Sequence, residues 1–138
     1  MAIHFFNEDI EYRLQDQEKT VLWVNNILTK EGYSAENINY VFCSDDHLQQ
    51  INIEYLNHDT YTDIVTFDNT ENEHSIEADI FISIDRVQEN AKKLSQKEDD
   101  ELHRVIIHGL LHILGYSDKT AQDKQAMREK EDACLSLR

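Results

Sequence analysis

The segment HGLLHILGYSD, residues 108–118, constrains the fold of this chain more than any other stretch. Its large aliphatic residues predict a helix that is buried except for the face that carries two imidazoles. His108 and His112 are four residues apart, so they lie one helical turn apart on that face. Because burying an imidazole without a partner costs on the order of kilocalories per mole, the two rings must meet a partner.

Two interpretations of this histidine pair are open from local rules. It is a metal site, or it is a pair of core histidines that are satisfied by hydrogen bonds. The helix is predicted to end at Gly115, and a chain that turns back there can bring Asp118 to a shared ion. Alternatively, Asp118 or Thr120 caps the next helix. A protease of the HExxH type is not expected, because Gly109 stands where such enzymes carry their general base.

Acidic residues dominate the charge of the chain. There are 28 Asp and Glu against 13 Lys and Arg, giving a formal net charge of -15. This charge argues against binding nucleic acid through a broad basic surface, although a bound cation can reverse the field inside one cleft. Cys43 and Cys134 lie far apart and outside any CxxC motif, so neither a disulfide framework nor a thiolate zinc site is indicated.

The length and composition predict one domain, spanning residues 1–138, with enough apolar residues for a two-layer core. The chain has no apolar run of about eighteen residues, the minimum for a membrane span. Its N-terminus carries acidic residues where a signal peptide would carry basic ones. We therefore expect a soluble, cytoplasmic protein with no membrane partner.

Hydrophobic periodicity predicts four strands and about five helices. Strands and helices alternate at first, and the helices gather at the C-terminal end. This order predicts an α+β (α/β-like) fold with one mixed sheet covered by helices. The third and fourth strands are expected to form a hairpin, and Ser83 or Asp85 to cap the helix after them. The predicted strands are 3–6, 38–43, 62–67 and 76–84, and the predicted helices are 20–30, 44–57, 85–94, 99–114 and 120–134.

Three segments of the chain resemble one known family. HGLLHILGYSD resembles the HGxLHxxGYDH signature of the YbeY-type endoribonucleases, the bacterial rRNA maturation factors. Residues 51–68, INIEYLNHDTYTDIVTFD, are similar to the family's LNxxYRxKDxPTDVLSFP segment, and residues 78–83, ADIFIS, to its GDIxIS strand. The resemblance implies a mixed four-stranded sheet with helices. It also implies one zinc ion on a C-terminal helix and the following turn, held here by His108, His112 and Asp118.

The chain departs from the family pattern at several positions. Asp118 stands where the family usually has a third histidine. A site of two histidines and one aspartate still leaves a fourth position open for water, but the negative charge of the carboxylate makes the ion a weaker Lewis acid. Leu56 stands where the family commonly has an arginine, a side chain that can hold a phosphate with two hydrogen bonds. Tyr61 and Asp68 replace prolines of the pattern.

Further candidate residues lie in the segments that carry the resemblance. His58 is a candidate for proton transfer or phosphate binding, because imidazole titrates near neutrality, and Asp59 lies beside it. Asp63 and Asp79 are candidates to orient a ligand histidine or to contact substrate. The alternatives are a solvated loop histidine and sheet-edge carboxylates. The available phosphate contacts are Arg104, Lys119, Lys124, Arg128 and Lys130.

The resemblance implies a zinc-dependent, single-strand-specific endoribonuclease. It would mature the 3′ end of 16S rRNA and act in ribosome quality control, with single-stranded RNA and the ribosome as partners. The ion would activate a water molecule and screen the phosphate charge. Two alternatives stay open: a non-catalytic ribosome-assembly factor with a structural metal, and a metal-dependent hydrolase of a non-RNA substrate. Closed coordination by four protein ligands would favour the assembly factor.

Overall fold

The computed structural model describes residues 2–56 and 62–138, which form four strands and five helices. His58, Asp59 and Tyr61 lie outside these residues. The strands are β1 (Ile3–Asn7), β2 (Ser34–Cys43), β3 (Ile64–Asp68) and β4 (Ser75–Ser83). The helices are α1 (Gln17–Lys30), α2 (Asp45–Leu56), α3 (Ile84–Lys93), α4 (Glu98–Ile113) and α5 (Ala121–Leu135).

The strands form one mixed sheet in the order β1-β2-β4-β3. Strand β2 pairs in parallel with β1 and with β4, whereas β3 pairs antiparallel with β4. Parallel neighbours need a long crossover connection, which α1 supplies between β1 and β2. The predicted mixed sheet and the predicted β3-β4 hairpin are both confirmed.

Apolar side chains cover both faces of the sheet. On one face, Ile38, Tyr40 and Phe42 of β2 join a core that includes residues of α1 and α4. On the other face, Cys43 packs with Leu48 and Ile51 of α2 in a smaller cluster. Because side chains alternate along a strand, the two clusters take alternate residues of the same strands. Helix α4, which carries the two histidines, therefore lies on the face of the main core.

Several element ends differ from the sequence prediction. Strand β2 begins at Ser34 rather than at residue 38, because its polar first residues pair with the start of β4. Helix α1 begins at Gln17 rather than at residue 20, with the Asp16 carboxylate accepting a hydrogen bond from the Lys19 backbone. Of the two caps considered for α3, Ser83 is the one used. None of the helices in the described residues is both long and apolar enough to cross a membrane.

Candidate metal centre

Helix α4 ends in a tight turn that sends the chain back toward its own last residues. Gly115 has a φ of 105°, a left-handed conformation that glycine adopts without steric cost. Its N–H donates to the His112 carbonyl and the Tyr116 N–H donates to the Leu111 carbonyl, each over 3.0 Å. This pair of bonds is a Schellman motif, which satisfies the last carbonyls of the helix. The predicted end at Gly115 is confirmed.

The turn brings three metal-binding side chains together. The Nε2 atoms of His108 and His112 are 2.9 Å apart, and Asp118 Oδ2 lies 3.5 Å from the first and 3.3 Å from the second. Within the described residues this is the one group of three potential ligands whose donor atoms lie within 4.8 Å of one another. The competing role for Asp118 is not used, because Thr120 caps α5 through a capping box with Asp123.

Hydrogen bonds on the far side of each ring determine which ring nitrogen faces the centre with a lone pair. His112 Nδ1 lies 3.1 Å from the Tyr116 carbonyl oxygen, and His108 Nδ1 lies 2.5 Å from Glu131 Oε2. Both oxygens only accept, so each neutral imidazole carries its proton on Nδ1 and leaves Nε2 bare. Two bare nitrogens at 2.9 Å beside a carboxylate oxygen repel one another unless a proton or a metal ion lies between them.

The donor set fits a divalent transition metal. Two imidazole nitrogens and one carboxylate oxygen are ligands that Zn²⁺ takes in proteins. The three side chains are between 25% and 40% exposed, so a further position faces solvent. Three protein ligands with an accessible fourth position are typical of catalytic zinc sites, whereas structural sites are closed by four.

Glu131 is a residue of the candidate site that the sequence reasoning missed. Its second oxygen accepts a hydrogen bond from Arg104 over 2.9 Å, and Arg104 also donates to Asp132 over 2.6 Å. Burial raises the pKa of Glu131, but hydrogen bonds from His108 and Arg104 outweigh burial and lower it. Burial opposes the charged form of His108, yet the hydrogen bond and charge of Glu131 raise the pKa of that ring.

A sequence signal for Glu131 did exist. Met127, Glu131 and Cys134 are the buried residues of α5, at spacings of four and three that place them on one helical face. A glutamate on the buried face of a helix needs a partner, since an unpaired buried charge is very costly. The mixed charges of α5 concealed this signal, because Glu131 resembled one of many solvated carboxylates.

The structure separates the two aspartates proposed to support the histidines. Asp63 lines the same cavity as His108 and Asp118; burial raises its pKa, and the charge of His108 opposes that shift. Asp79 is not brought to the histidines: its carboxylate accepts hydrogen bonds from Asn39 over 3.0 Å and Asn69 over 3.2 Å. The next residue, Ile80, faces α4, so alternation along β4 directs Asp79 to the opposite face.

Gly109 packs directly against the sheet. A Cβ atom at this position would lie 2.5 Å from Ile64 Cδ1 and 3.1 Å from Ile80 Cγ2. The position that carries the general base in HExxH proteases thus has no room for a side chain. His103, also on α4, does not join the cluster: its ring packs against Trp23, and its Nδ1 lies 2.7 Å from the Asp99 carbonyl oxygen.

A cavity of about 260 Å³ is lined by two of the three ligands, His108 and Asp118, and also by Asp63 and Glu101. Burial and the charge of Asp63 raise the pKa of Glu101, while Arg104 and Arg128 oppose the shift. A larger cavity, of about 730 Å³, lies between α1 and the start of α4 and is lined by His103 but by none of the three ligands. The smaller cavity is therefore the one that belongs to the metal centre.

Together, the mixed sheet and the His-His-Asp cluster at the end of a buried helix define an α+β protein with a candidate metal centre. A family model described as Endoribonuclease YbeY matches residues 2–137. The chain belongs to this family.

Individual relatives agree with this assignment. An Endoribonuclease YbeY from Cytophaga hutchinsonii is 55% identical over 137 residues, covering 99% of this chain and 96% of the relative. Another from Flavobacterium johnsoniae is 42% identical over 132 residues, covering 96% and 94%. A solution structure of a Thermotoga maritima protein has a TM-score of 0.68 at 24% identity, covering 98% of this chain and 87% of the other. The two proteins therefore share a fold although their sequences are distant.

Proposed function

We propose that this chain is a zinc-dependent endoribonuclease that cleaves single-stranded RNA, matures the 3′ end of 16S rRNA and acts in ribosome quality control. Family membership supports the endoribonuclease activity, since the matching model and the curated relatives carry that name. The substrate would be rRNA, the partner the ribosome and the location the cytoplasm.

The observation that carries the proposal is the convergence of the two Nε2 atoms and Asp118 Oδ2 on one point. His108, His112 and Asp118 would hold the ion. When bound, Zn²⁺ supplies a Lewis acid that lowers the pKa of a water molecule and neutralises phosphate charge. Glu131 and the Tyr116 carbonyl fix the two rings in the tautomer that binds metal.

Local positive charge would hold the RNA backbone despite the net charge of -15. Lys124 and Arg128 are exposed and line the cavity beside the metal centre. Arg104 and Lys130 are less suited to this role, because Arg104 is paired with Glu131 and Lys130 with Glu31. Two cations near the reacting phosphate attract a polyanion at short range only, which agrees with an otherwise acidic protein.

Proton transfer is assigned to groups near the cavity. Asp63 is a half-buried carboxylate that lines the cavity with His108 and Asp118 without being a ligand, and we propose that it orients the attacking water or accepts its proton. His58 remains a candidate for proton transfer or phosphate binding, and Asp59 a candidate for substrate binding. Both assignments are supported only by the resemblance of their segment to the family pattern.

Metal analysis combined with RNA cleavage tests the proposal. Purified protein should contain about one zinc per chain and cleave an unstructured RNA faster than a duplex of the same sequence. His112→Ala and Asp118→Ala should lose both metal and cleavage. His74→Ala is the matched control, since His74 is an exposed histidine that is distant in sequence from the three ligands. Retention of metal and cleavage by both site variants would refute the assignment of the ligands.

A further inference from the structure

The cavity beside the metal centre contains a buried acceptor with no partner. Glu101 is 5% exposed, and its Oε1 has no hydrogen-bond partner in the part of the chain that the structure describes. A buried carboxylate oxygen without a donor is costly, and native proteins rarely keep one without a reason. Because Glu101 lines the cavity, a ligand inside the cavity can supply the missing donor.

A second metal ion does not account for this acceptor. Neither Glu101 nor Asp63 belongs to a group of three potential ligands with converging donor atoms among the described residues. The guanidinium of Arg104 does not satisfy the acceptor either, because it is paired with Glu131 and Asp132. The donor is therefore expected to come from a bound ligand, for example from the N–H of a ring or from an aromatic amino group.

The walls of the cavity indicate what carries that N–H group. Leu94, Val105 and Met127 line it with apolar atoms, which suit the face of an aromatic ring. Lys124 and Arg128 are exposed residues of the same lining and suit a phosphate. The volume, about 260 Å³, is below the roughly 300–1,000 Å³ of sites for drug-sized ligands, so it fits a single ring system.

We propose that this cavity binds a guanine base of the RNA next to the scissile phosphate, with the N–H groups of the base donating to Glu101. The proposal rests on the proposed function, because it names a substrate preference of the same site. An ionised carboxylate offers two acceptors and no donor. Guanine has two adjacent donors, N1–H and the 2-amino group, whereas the pairing edges of adenine and cytosine place a donor beside an acceptor. Reading a base by its pairing edge is the usual mode of single-strand recognition.

Binding of mononucleotides to the metal-loaded protein tests the pocket without cleavage. Guanosine 5′-monophosphate should bind about tenfold or more tightly than adenosine 5′-monophosphate, which has the same phosphate and ribose. Inosine 5′-monophosphate, which lacks the 2-amino group, should lie between them. Titration calorimetry measures all three constants. Equal affinity for the guanine and adenine nucleotides would overturn the proposal.

Substitution of the acceptor gives an independent test. Glu101→Gln keeps the shape of the side chain but presents one donor and one acceptor, an arrangement that complements adenine better than guanine. The guanine-to-adenine affinity ratio should fall about tenfold, while Glu129→Gln, an exposed change on α5 that removes the same charge, should leave it unchanged. An unaltered ratio in Glu101→Gln, at unchanged melting temperature, would overturn the proposal.

Cleavage of RNA separates this inference from the proposed function. The substrates are unstructured oligonucleotides that differ only in one position, guanine in one and each other base in the rest. Cleavage concentrated beside the guanine, and redistributed in Glu101→Gln, supports both proposals. Cleavage without base preference supports the endoribonuclease and overturns the guanine pocket. If no RNA is cleaved but the nucleotide preference depends on Glu101, the proposed function fails and the pocket stands.

Discussion

Glu131→Gln tests whether the buried carboxylate on α5 prepares His108 for metal binding. Glu131 accepts from His108 Nδ1 with one oxygen and from Arg104 with the other, and its side chain is 6% exposed. Glutamine has a single oxygen for these two donors. Whichever way its amide is turned, an NH₂ group faces either the imidazole or the guanidinium. The substitution therefore keeps the size of the side chain and removes one of the two buried hydrogen bonds.

The expected loss is about 10- to 100-fold in zinc affinity, the usual cost of losing a carboxylate that supports a ligand histidine. This range corresponds to about 1.4–2.8 kcal/mol of binding free energy. Burial favours the upper half of the range, because solvent does not screen the lost charge on a side chain that is 6% exposed.

Competition with a chromophoric chelator at fixed pH measures the dissociation constant. Asp132→Asn is the matched control, since it removes the other carboxylate bound to Arg104 without touching His108. Its carboxylate is 58% exposed, so it should change affinity by no more than a few-fold. The absorption spectrum of the Co²⁺-substituted protein should change in Glu131→Gln only. A variant with wild-type affinity and spectrum would refute the role of Glu131.

The remaining predictions concern stability. Gly109→Ala should lower the free energy of unfolding by about 1–3 kcal/mol in denaturant titrations, because its Cβ would overlap Ile64; an unchanged midpoint would mean that β3 moves freely. Gly115→Ala should cost about 1–2 kcal/mol, because its φ of 105° strains any residue with a Cβ; equal melting temperatures would contradict this strain. Removing metal with a chelator should lower the melting temperature of the wild type and leave Asp118→Ala unaffected, since only metal that binds the folded state stabilises it.

Local signals were sufficient for the helix that carries the histidines. The aliphatic spacing of residues 108–114 and the glycine after them depend on neighbours in sequence, so the helix and its end at Gly115 were predictable. The role of Asp118 could not be predicted in this way, because both Asp118 and Thr120 are competent helix caps. The capping box of Thr120 with Asp123 decided between them.

Long-range pairing accounts for what the sequence prediction missed. Strand β2 begins at Ser34 because β4 offers a partner there, which no local propensity records. Glu131 meets His108 only after α5 folds back along α4. The direction of the Asp79 side chain, in contrast, was predictable from the sequence. Ala78 and Ile80 on either side of it are buried in the main core. Alternation in the sequence ADIFIS already indicated that Asp79 faces away from α4.

The hydrogen bonds from His108 through Glu131 to Arg104 connect the metal centre to α5, although none of the three ligands lies on that helix. Binding of an ion would hold the His108 ring, and the ring in turn would hold the buried side of α5. Local opening of α5 should then become rarer as the ion binds. Amide hydrogen exchange along Ala121–Leu135 would thus report occupancy of a site to which this segment contributes no ligand.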